Sequence, residues 1–280
     1  MSPTAKLAAI PAPDFDLRRT LDSGQVFHAM PSGKGWQVLV GNALIAAEQT
    51  GGLLRVSGHH EELARRFFAL DHPMDAIYGA FPRDAFSQAA LVSCRGLRIM
   101  RQPLWECLGT FITSPMKQVA HIRQMSLLLR ERYGVPVRGS LVNAYPEPAR
   151  LAGLSEQDLR NCGLGFRAKS LLATARLIAE GDADLAAIAA LPTSAAREAL
   201  CRMPGVGRKV ANCVLLFAYE RLDAVPVDVW VARILRAMRK RKASLLGLEQ
   251  FSNRRFGPYA GYVQQYLFHH ARMTKTLPAG

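Results

Sequence analysis

No apolar run in this chain of 280 residues approaches the ~18 residues of a membrane span, which argues against an integral membrane protein. Its first twenty residues, MSPTAKLAAIPAPDFDLRRT, lack the apolar block of a signal peptide and are interrupted by prolines. A cytoplasmic protein without an export signal is therefore expected. Cysteine is scarce. Cys94, Cys107, Cys162, Cys201 and Cys213 are odd in number and widely spaced, so they form no disulfide framework. No C-x-x-C pair occurs, and the histidines have no ligand spacing with any cysteine. A structural zinc or an iron–sulfur cluster thus has little support. The doublets His59–His60 and His269–His270 read as solvated surface. Acidic residues are the scarcer charge, 22 against 36 Lys and Arg, which leaves a formal net charge of +14. Hydrophobic residues make up 49% and charged residues 21%, enough for a sizeable core and too apolar for a disordered basic tail. The length allows one large domain or two modest ones. The basic excess suits a polyanion, nucleic acid foremost, because Lys and Arg displace counterions condensed on phosphates. Solubility alone is the plainer account.

The apolar pattern changes along the chain. VFHAM (26–30), WQVLV (36–40), ALIAAEQ (43–49) and LLRVS (53–57) are short strand-like runs. PSGKG, GN and TGG separate them, which suits an antiparallel meander. From about residue 60 the pattern is helical. Val119, Ile122, Ser126 and Leu129 fall at helical spacing, with Ser126 weakening the stripe; Leu171, Leu172, Ala175 and Ile178 do so more clearly. Turn clusters lie at Tyr145–Pro148, Gly163–Gly165 and Pro204–Gly207. The expected fold class is α+β: an N-terminal antiparallel sheet with a flanking helix over residues 1–90, then a helical body over 91–280.

The segment LCRMPGVGRKVANCVLLFAY reads as helix, tight turn, helix, at about 195–219. Gly205 and Gly207 flank Val206, so the backbone can turn sharply and present its amides. The second helix carries Val210, Cys213, Val214 and Phe217 on one apolar face. Free amides at a helix start bind anions, and Arg208 and Lys209 stand in that first turn. The layout resembles a helix-hairpin-helix, which grips a DNA backbone without reading bases. An ordinary interhelical turn with a glycine cap is the bland alternative. It is not a P-loop, since no Ser or Thr follows Lys209.

Nineteen residues beyond Lys209 stands Asp228, before a helix with Val231, Ile234, Leu235 and Met238 on its apolar face. Capping alone would account for Asp228, and phosphate contact alone for Lys209. Together they suggest chemistry. A lysine attacks carbon only as the neutral amine, which a partly desolvated site beside Arg208 and a helix N-terminus would favour. A carboxylate can support positive charge on a sugar as its bond to a base breaks.

The stretch MPGVGRKVANCVLLF…AVPVDVW resembles the signature of the helix-hairpin-helix DNA glycosylase superfamily and is most similar to the 8-oxoguanine DNA glycosylase family. LRRTLDSGQVFHA, GLRIMRQPLWECLGTFITS, CGLGFRAKSL and GYVQQYLF resemble further family segments in the family's order, over about residues 14–272. The resemblance implies Lys209 as the nucleophile on C1′ and Asp228 as the carboxylate that supports the sugar cation and helps activate Lys209. It implies that the Gly24 carbonyl accepts the N7–H that distinguishes 8-oxoguanine from guanine. Phe268 and Cys213 would hold the two faces of the extruded base, with Gln264 at its Watson–Crick edge and Phe217 in the pocket. Gly205, Val206, Gly207 and Arg208 would hold DNA phosphate. The implied partner is damaged double-stranded DNA, met by a monomer in the cytoplasm, nucleoid-associated in a bacterium. No metal or organic cofactor is implied.

The same resemblance exposes departures. The family fills the gap left by the extruded base with an Asn, two Arg and a bulky wedge. Arg167 and Phe166 match one Arg and the wedge, with Phe where Tyr is commoner. Met116 stands at the Asn position and His121 at the other Arg position. Met116 cannot read an opposite cytosine by hydrogen bonds, and His121 offers at most one donor of pH-dependent charge. A relaxed opposite-base preference is expected. Two other readings stand beside this one. A monofunctional alkylated-base glycosylase would use the Asp with water and lack the lysine, which Lys209 opposes. A non-catalytic helix-hairpin-helix DNA-binding protein would not need Lys209 and Asp228 together. An adenine mismatch glycosylase would carry a cysteine cluster near its C-terminus, which is missing here.

Overall fold

The computed structural model of the chain describes residues 7–239 and 242–278. Strands β1 (Leu7–Pro11), β2 (Met30–Ser32), β3 (Gly35–Val40), β4 (Ala43–Thr50) and β5 (Leu53–Ser57) form one antiparallel sheet in the order β1-β5-β4-β3-β2. Its register pairs Trp36 with Ala47 and Ala47 with Val56. Gly41 and Gly51 turn the two central hairpins at φ of 59° and 57°, a conformation that costs other residues more.

Two strand expectations need correction. β1 lies in a stretch that its prolines and alanines disguised. It is an edge strand, and Pro11 stands at its end, where a missing N–H is tolerated. Of VFHAM only Met30 is in a strand. Val26–Ala29 are buried and used for packing: Phe27 meets Phe111 edge-on at 5.9 Å, and the His28 ring bonds the Leu39 carbonyl at 2.8 Å. Composition alone cannot separate a buried irregular segment from a buried strand.

The rest is helical, as the 3.6-residue pattern required. Helix α1 (Leu17–Asp22) precedes the hairpins; α2 (Glu61–Phe67), α3 (Met74–Gly79) and α4 (Ala85–Ser93) follow them. Then come α5 (Leu104–Ile112), α6 (Val119–Tyr133), α7 (Pro148–Ala152), α8 (Glu156–Arg160), α9 (Arg167–Ala179) and α10 (Leu185–Ile188). The last five are α11 (Thr193–Cys201), α12 (Arg208–Phe217), α13 (Val229–Arg239), α14 (Leu245–Phe256) and α15 (Ala260–Thr274). The expected stripes on α6, α9, α12 and α13 face inward, although the Ser126 hydroxyl is buried without a partner. One apolar cluster runs from Ile10 to Met100 beneath the sheet, and a larger one joins the helices. No described helix is long and apolar enough to cross a membrane.

The second histidine doublet is not the solvated surface expected. His269 and His270 are buried, and Ser93 Oγ lies 2.7 Å from His270 Nδ1. Their place on the inner face of α15 decides this, and a doublet has no periodicity from which to read a face.

Candidate active site

The turn Met203–Gly207 joins α11 to α12. Gly205 has φ of 79°, and a Cβ there would stand 2.5 Å from the Cβ of Ser170 on α9, so the backbones can approach only at glycine. Val206 is buried and anchors the turn, its N–H donating to the Met203 carbonyl. Gly207 caps α12 without any side-chain bond, leaving the first-turn amides for an anion. Arg208 departs from the expectation. Its guanidinium makes a two-pronged bond with Glu249 of α14, 2.6 and 3.0 Å, and Glu249 is buried. Arg208 therefore clamps α14 to α12, sharing Glu249 with Arg197 at 3.7 Å while remaining exposed.

Lys209 is half-buried. Its Nζ lies 3.0 Å from Ser114 Oγ and 5.5 Å from the centre of the Phe111 ring. The Ser114 hydroxyl donates to the Phe111 carbonyl at 2.8 Å. That spends its one proton, so Ser114 can only accept from the lysine. Ser114 thus fixes the direction of the amine. Cys213, one turn further along α12, is buried next to Lys209 and Asp228; burial pushes its thiol up to about 11 against the lowering influence of Lys209. At neutral pH it is an uncharged, polarisable surface.

Asp228 does what capping demands and keeps something in reserve. Its Oδ1 accepts from the Val231 amide at 2.8 Å, and its carbonyl accepts from Ala232. The other carboxylate oxygen has no hydrogen-bond partner among the described residues. The segment bearing Asp228 is pinned by Asn212 of α12, whose Nδ2 donates to the Val225 carbonyl at 2.8 Å while its Oδ1 accepts from Arg197. The helix of the lysine and the loop of the aspartate are therefore tied to each other. Among the described residues Lys209 and Asp228 form no direct ion pair.

Gly24 follows α1 with φ of 84°. Its neighbour Gln25 is fully buried and bonds Ser23 Oγ, the Arg98 carbonyl and the Met100 amide, while the Gln102 side chain donates to the Gln25 carbonyl. The loop is also tied to α15: Gln265 donates to the Ser23 carbonyl, and Arg272 to that of Asp22. On α15, Gln264 is buried, and its Oε1 has no partner among the described residues. A buried amide oxygen left open is costly unless a ligand completes it. Phe268, one turn on, is half-buried. Phe217 lies deeper than expected. It is buried and stacks at 5.4 Å on Phe111, the ring whose centre lies 5.5 Å from Lys209 Nζ.

The remaining four residues form a separate group. Met116 is 91% exposed at φ of 57°, in the loop between α5 and α6. It does not pack in the core. Asn tolerates this backbone region better than Met. His121 is exposed in the first turn of α6. Phe166 stands 61% exposed at the start of α9, with the Arg167 guanidinium 4.2 Å from its ring centre. Arg167 itself is buried. It donates to the Leu164 carbonyl at 3.2 Å and, through Nε at 2.9 Å and Nη2, to that of Pro115. It thereby braces the Met116 loop rather than reaching outward.

Sequence reasoning missed Ser114, Phe111, Gln25 and Arg272. Gln25 sits in the segment LRRTLDSGQVFHA but carries no periodic signal. Ser114 and Phe111 act through contacts with a residue 95 positions or more away, which no local pattern reveals.

Residues 8–108 match the family described as 8-oxoguanine DNA glycosylase, N-terminal domain, and residues 113–245 match the HhH-GPD superfamily of base excision DNA repair proteins. A probable N-glycosylase/DNA lyase of Methanothermobacter thermautotrophicus is 30% identical, with 96% of this chain and 97% of the relative covered. An N-glycosylase/DNA lyase of Saccharomyces cerevisiae is 29% identical over 80% of this chain and 69% of its own length. Among solved structures, the Clostridium acetobutylicum 8-oxoguanine glycosylase/lyase, bound to double-stranded DNA with cytosine opposite 8-oxoguanine, superposes with a TM-score of 0.89 at 26% identity. It covers 97% of this chain and 99% of its own.

Proposed function

Because the chain belongs to the 8-oxoguanine DNA glycosylase family of helix-hairpin-helix base excision repair proteins, we propose that it extrudes oxidised guanine from duplex DNA, excises it, and cleaves the abasic strand. The observation that carries this reading is the amine of Lys209 held on Ser114 at the start of α12. A monofunctional enzyme would have no use for a lysine so directed.

The reaction proceeds through this chain's own groups. The Nζ lone pair bonds to C1′ as the bond from C1′ to the base breaks, and the base departs with that electron pair and is protonated. The free oxygen of Asp228 balances the positive charge that develops on the sugar. Loss of protons from nitrogen and opening of the sugar ring give a Schiff base between Lys209 and C1′, and elimination then releases the 3′ phosphate. Gln264 Oε1 supplies the open acceptor for the donor edge of the base. Phe268 and Cys213 supply its stacking faces.

Opposite-base preference is relaxed in this proposal. Met116 has no donor to offer the widowed base, and Arg167 has its Nε and Nη2 committed to Pro115. The exposed Met116 and Phe166 instead fill the stack by shape, as apolar wedges do.

Borohydride trapping on duplexes with 8-oxoguanine opposite each of the four bases tests the whole reading. A covalent adduct is expected with all four partners, lost in Lys209→Gln. Protein that binds these duplexes and traps none would overturn it. A strong restriction to cytosine would overturn the part about Met116 and Arg167.

A further inference from the structure

Arg272 lies on α15 one turn beyond Phe268, with its guanidinium carbon 5.8 Å from that ring's centre. Its Nη1 approaches Gly24 so closely that a Cβ there would stand 3.2 Å away. Two bonds hold the group in place, both through Nη2: one to the Asp22 carbonyl and one of 3.1 Å to His269 Nδ1. Because Nδ1 accepts, His269 is neutral in this arrangement, and burial and Arg272 push it down to about 4. Nη1 has no partner among the described residues, and a guanidinium nitrogen of this kind carries two N–H groups. A fixed, charged donor therefore stands against the backbone of Gly24 and close to the Phe268 ring.

We propose that Arg272 is a specificity-determining residue: its Nη1 donates to the C8 oxygen of 8-oxoguanine while the Gly24 carbonyl accepts the adjacent N7–H. The inference rests on the proposed function and deepens it. The lesion presents a donor at N7 beside an acceptor at C8; the protein presents an acceptor beside a donor. Guanine offers a lone pair at N7 and a C–H at C8, so it leaves Nη1 without its acceptor and sets two lone pairs against each other at Gly24. Reading both atoms makes discrimination depend on two bonds, one of them charge-assisted and roughly twice the strength of a neutral one. C8 is bonded to N9, the atom that leaves C1′, so a charged donor at its oxygen also steadies the negative charge the departing base takes up.

The test uses the full chain and two variants, Arg272→Leu and Arg272→Lys. Single-turnover excision of 8-oxoguanine is compared with cleavage of a preformed abasic site in the same duplex, and thermal unfolding is followed alongside. Binding of 8-oxoguanine and guanine duplexes is measured in the Lys209→Gln background. Expected in Arg272→Leu is a drop of about tenfold in the ratio of excision to abasic cleavage, as for loss of a charged hydrogen bond. A similar drop is expected in the preference for 8-oxoguanine over guanine in binding, with Arg272→Lys intermediate. If both activities fall together with the melting temperature, Arg272 merely braces the Asp22 loop and the inference is overturned. Unchanged ratios overturn it equally. Wild-type protein that cleaves abasic sites but does not excise 8-oxoguanine would instead overturn the lesion assignment, and this inference with it.

Discussion

The two sides of the site are built differently. On the side proposed for the chemistry, Lys209 and the loops of Asp228 and Gly24 are each fixed by bonds to distant segments: Ser114 for the lysine, Asn212 for the aspartate's loop, and Gln25, Gln265 and Arg272 for the glycine's loop. On the opposite-strand side, Met116, His121 and Phe166 are exposed on loops and helix starts, and one guanidinium, that of Arg167, braces the loop bearing Met116. Every departure from the family's pattern noted in the sequence falls on this second side. Chemistry at C1′ needs placement to a fraction of an ångström, whereas filling a gap in a base stack needs only bulk in the right place. The second side can change without disturbing the first.

The sharpest way to break this contrast is Asp228→Asn. Asn caps a helix about as well as Asp, so the melting temperature is expected to hold while base excision falls by roughly 10²–10⁴, the range for loss of a positioned acid–base or charge-stabilising group. Asp228→Ala should lose the cap as well and cost about 0.5–2 kcal/mol of stability. Parallel melting curves and single-turnover rates separate the two roles.

Acid should weaken the fold from within. His28 and His269 are pushed down to about 4, first by burial and then by Arg130 and Arg272 respectively. Between pH 6.5 and 4 the unfolded chain binds more protons at these positions than the folded one does. Stability present above about pH 6.5 is therefore lost as pH falls, by roughly 1.4 kcal/mol per pH unit for each histidine. Melting temperature against pH for wild type and His269→Gln should diverge over that window; parallel curves would contradict the assignment for His269.

On the other side, Met116→Asn with His121→Arg should raise the preference for cytosine opposite the lesion by about tenfold, consistent with one or two net hydrogen bonds. Rates opposite cytosine should change less than rates opposite adenine. The smallest effect is expected from Met116→Gly, which relieves the backbone at φ of 57°. It should not lower stability, and it should slow excision with every partner base alike as the wedge is lost.

Much of this was legible in the chain. Glycine-marked turns and alternating strands showed three of the five strands nearly to the residue, and helical spacing showed the buried faces of α9, α12 and α13. Lys209 and Asp228 stood out because a helix start and a helix cap are local signals. What escaped was set by tertiary contacts. Arg208 looked like a free cation because Glu249, which it grips, is 41 residues away. Arg167 looked like a base reader because nothing near it names the Pro115 carbonyl. For Phe217, placed in the pocket, the spacing could not show that it stacks on Phe111. β1 was hidden by the prolines that its place at the sheet edge allows.

The bond from Arg167 to the Pro115 carbonyl has a bearing on how such a site can drift. The acceptor is main chain, so it survives any replacement at position 116 that keeps the loop's shape. The donor is a side chain and has no substitute with the same fork. Changes at Met116 can therefore accumulate one at a time, each altering which partner base is tolerated. A change at Arg167 would unsettle its own position and the next loop together. Inheritance should accordingly be loose at the tip of this loop and strict at its strut.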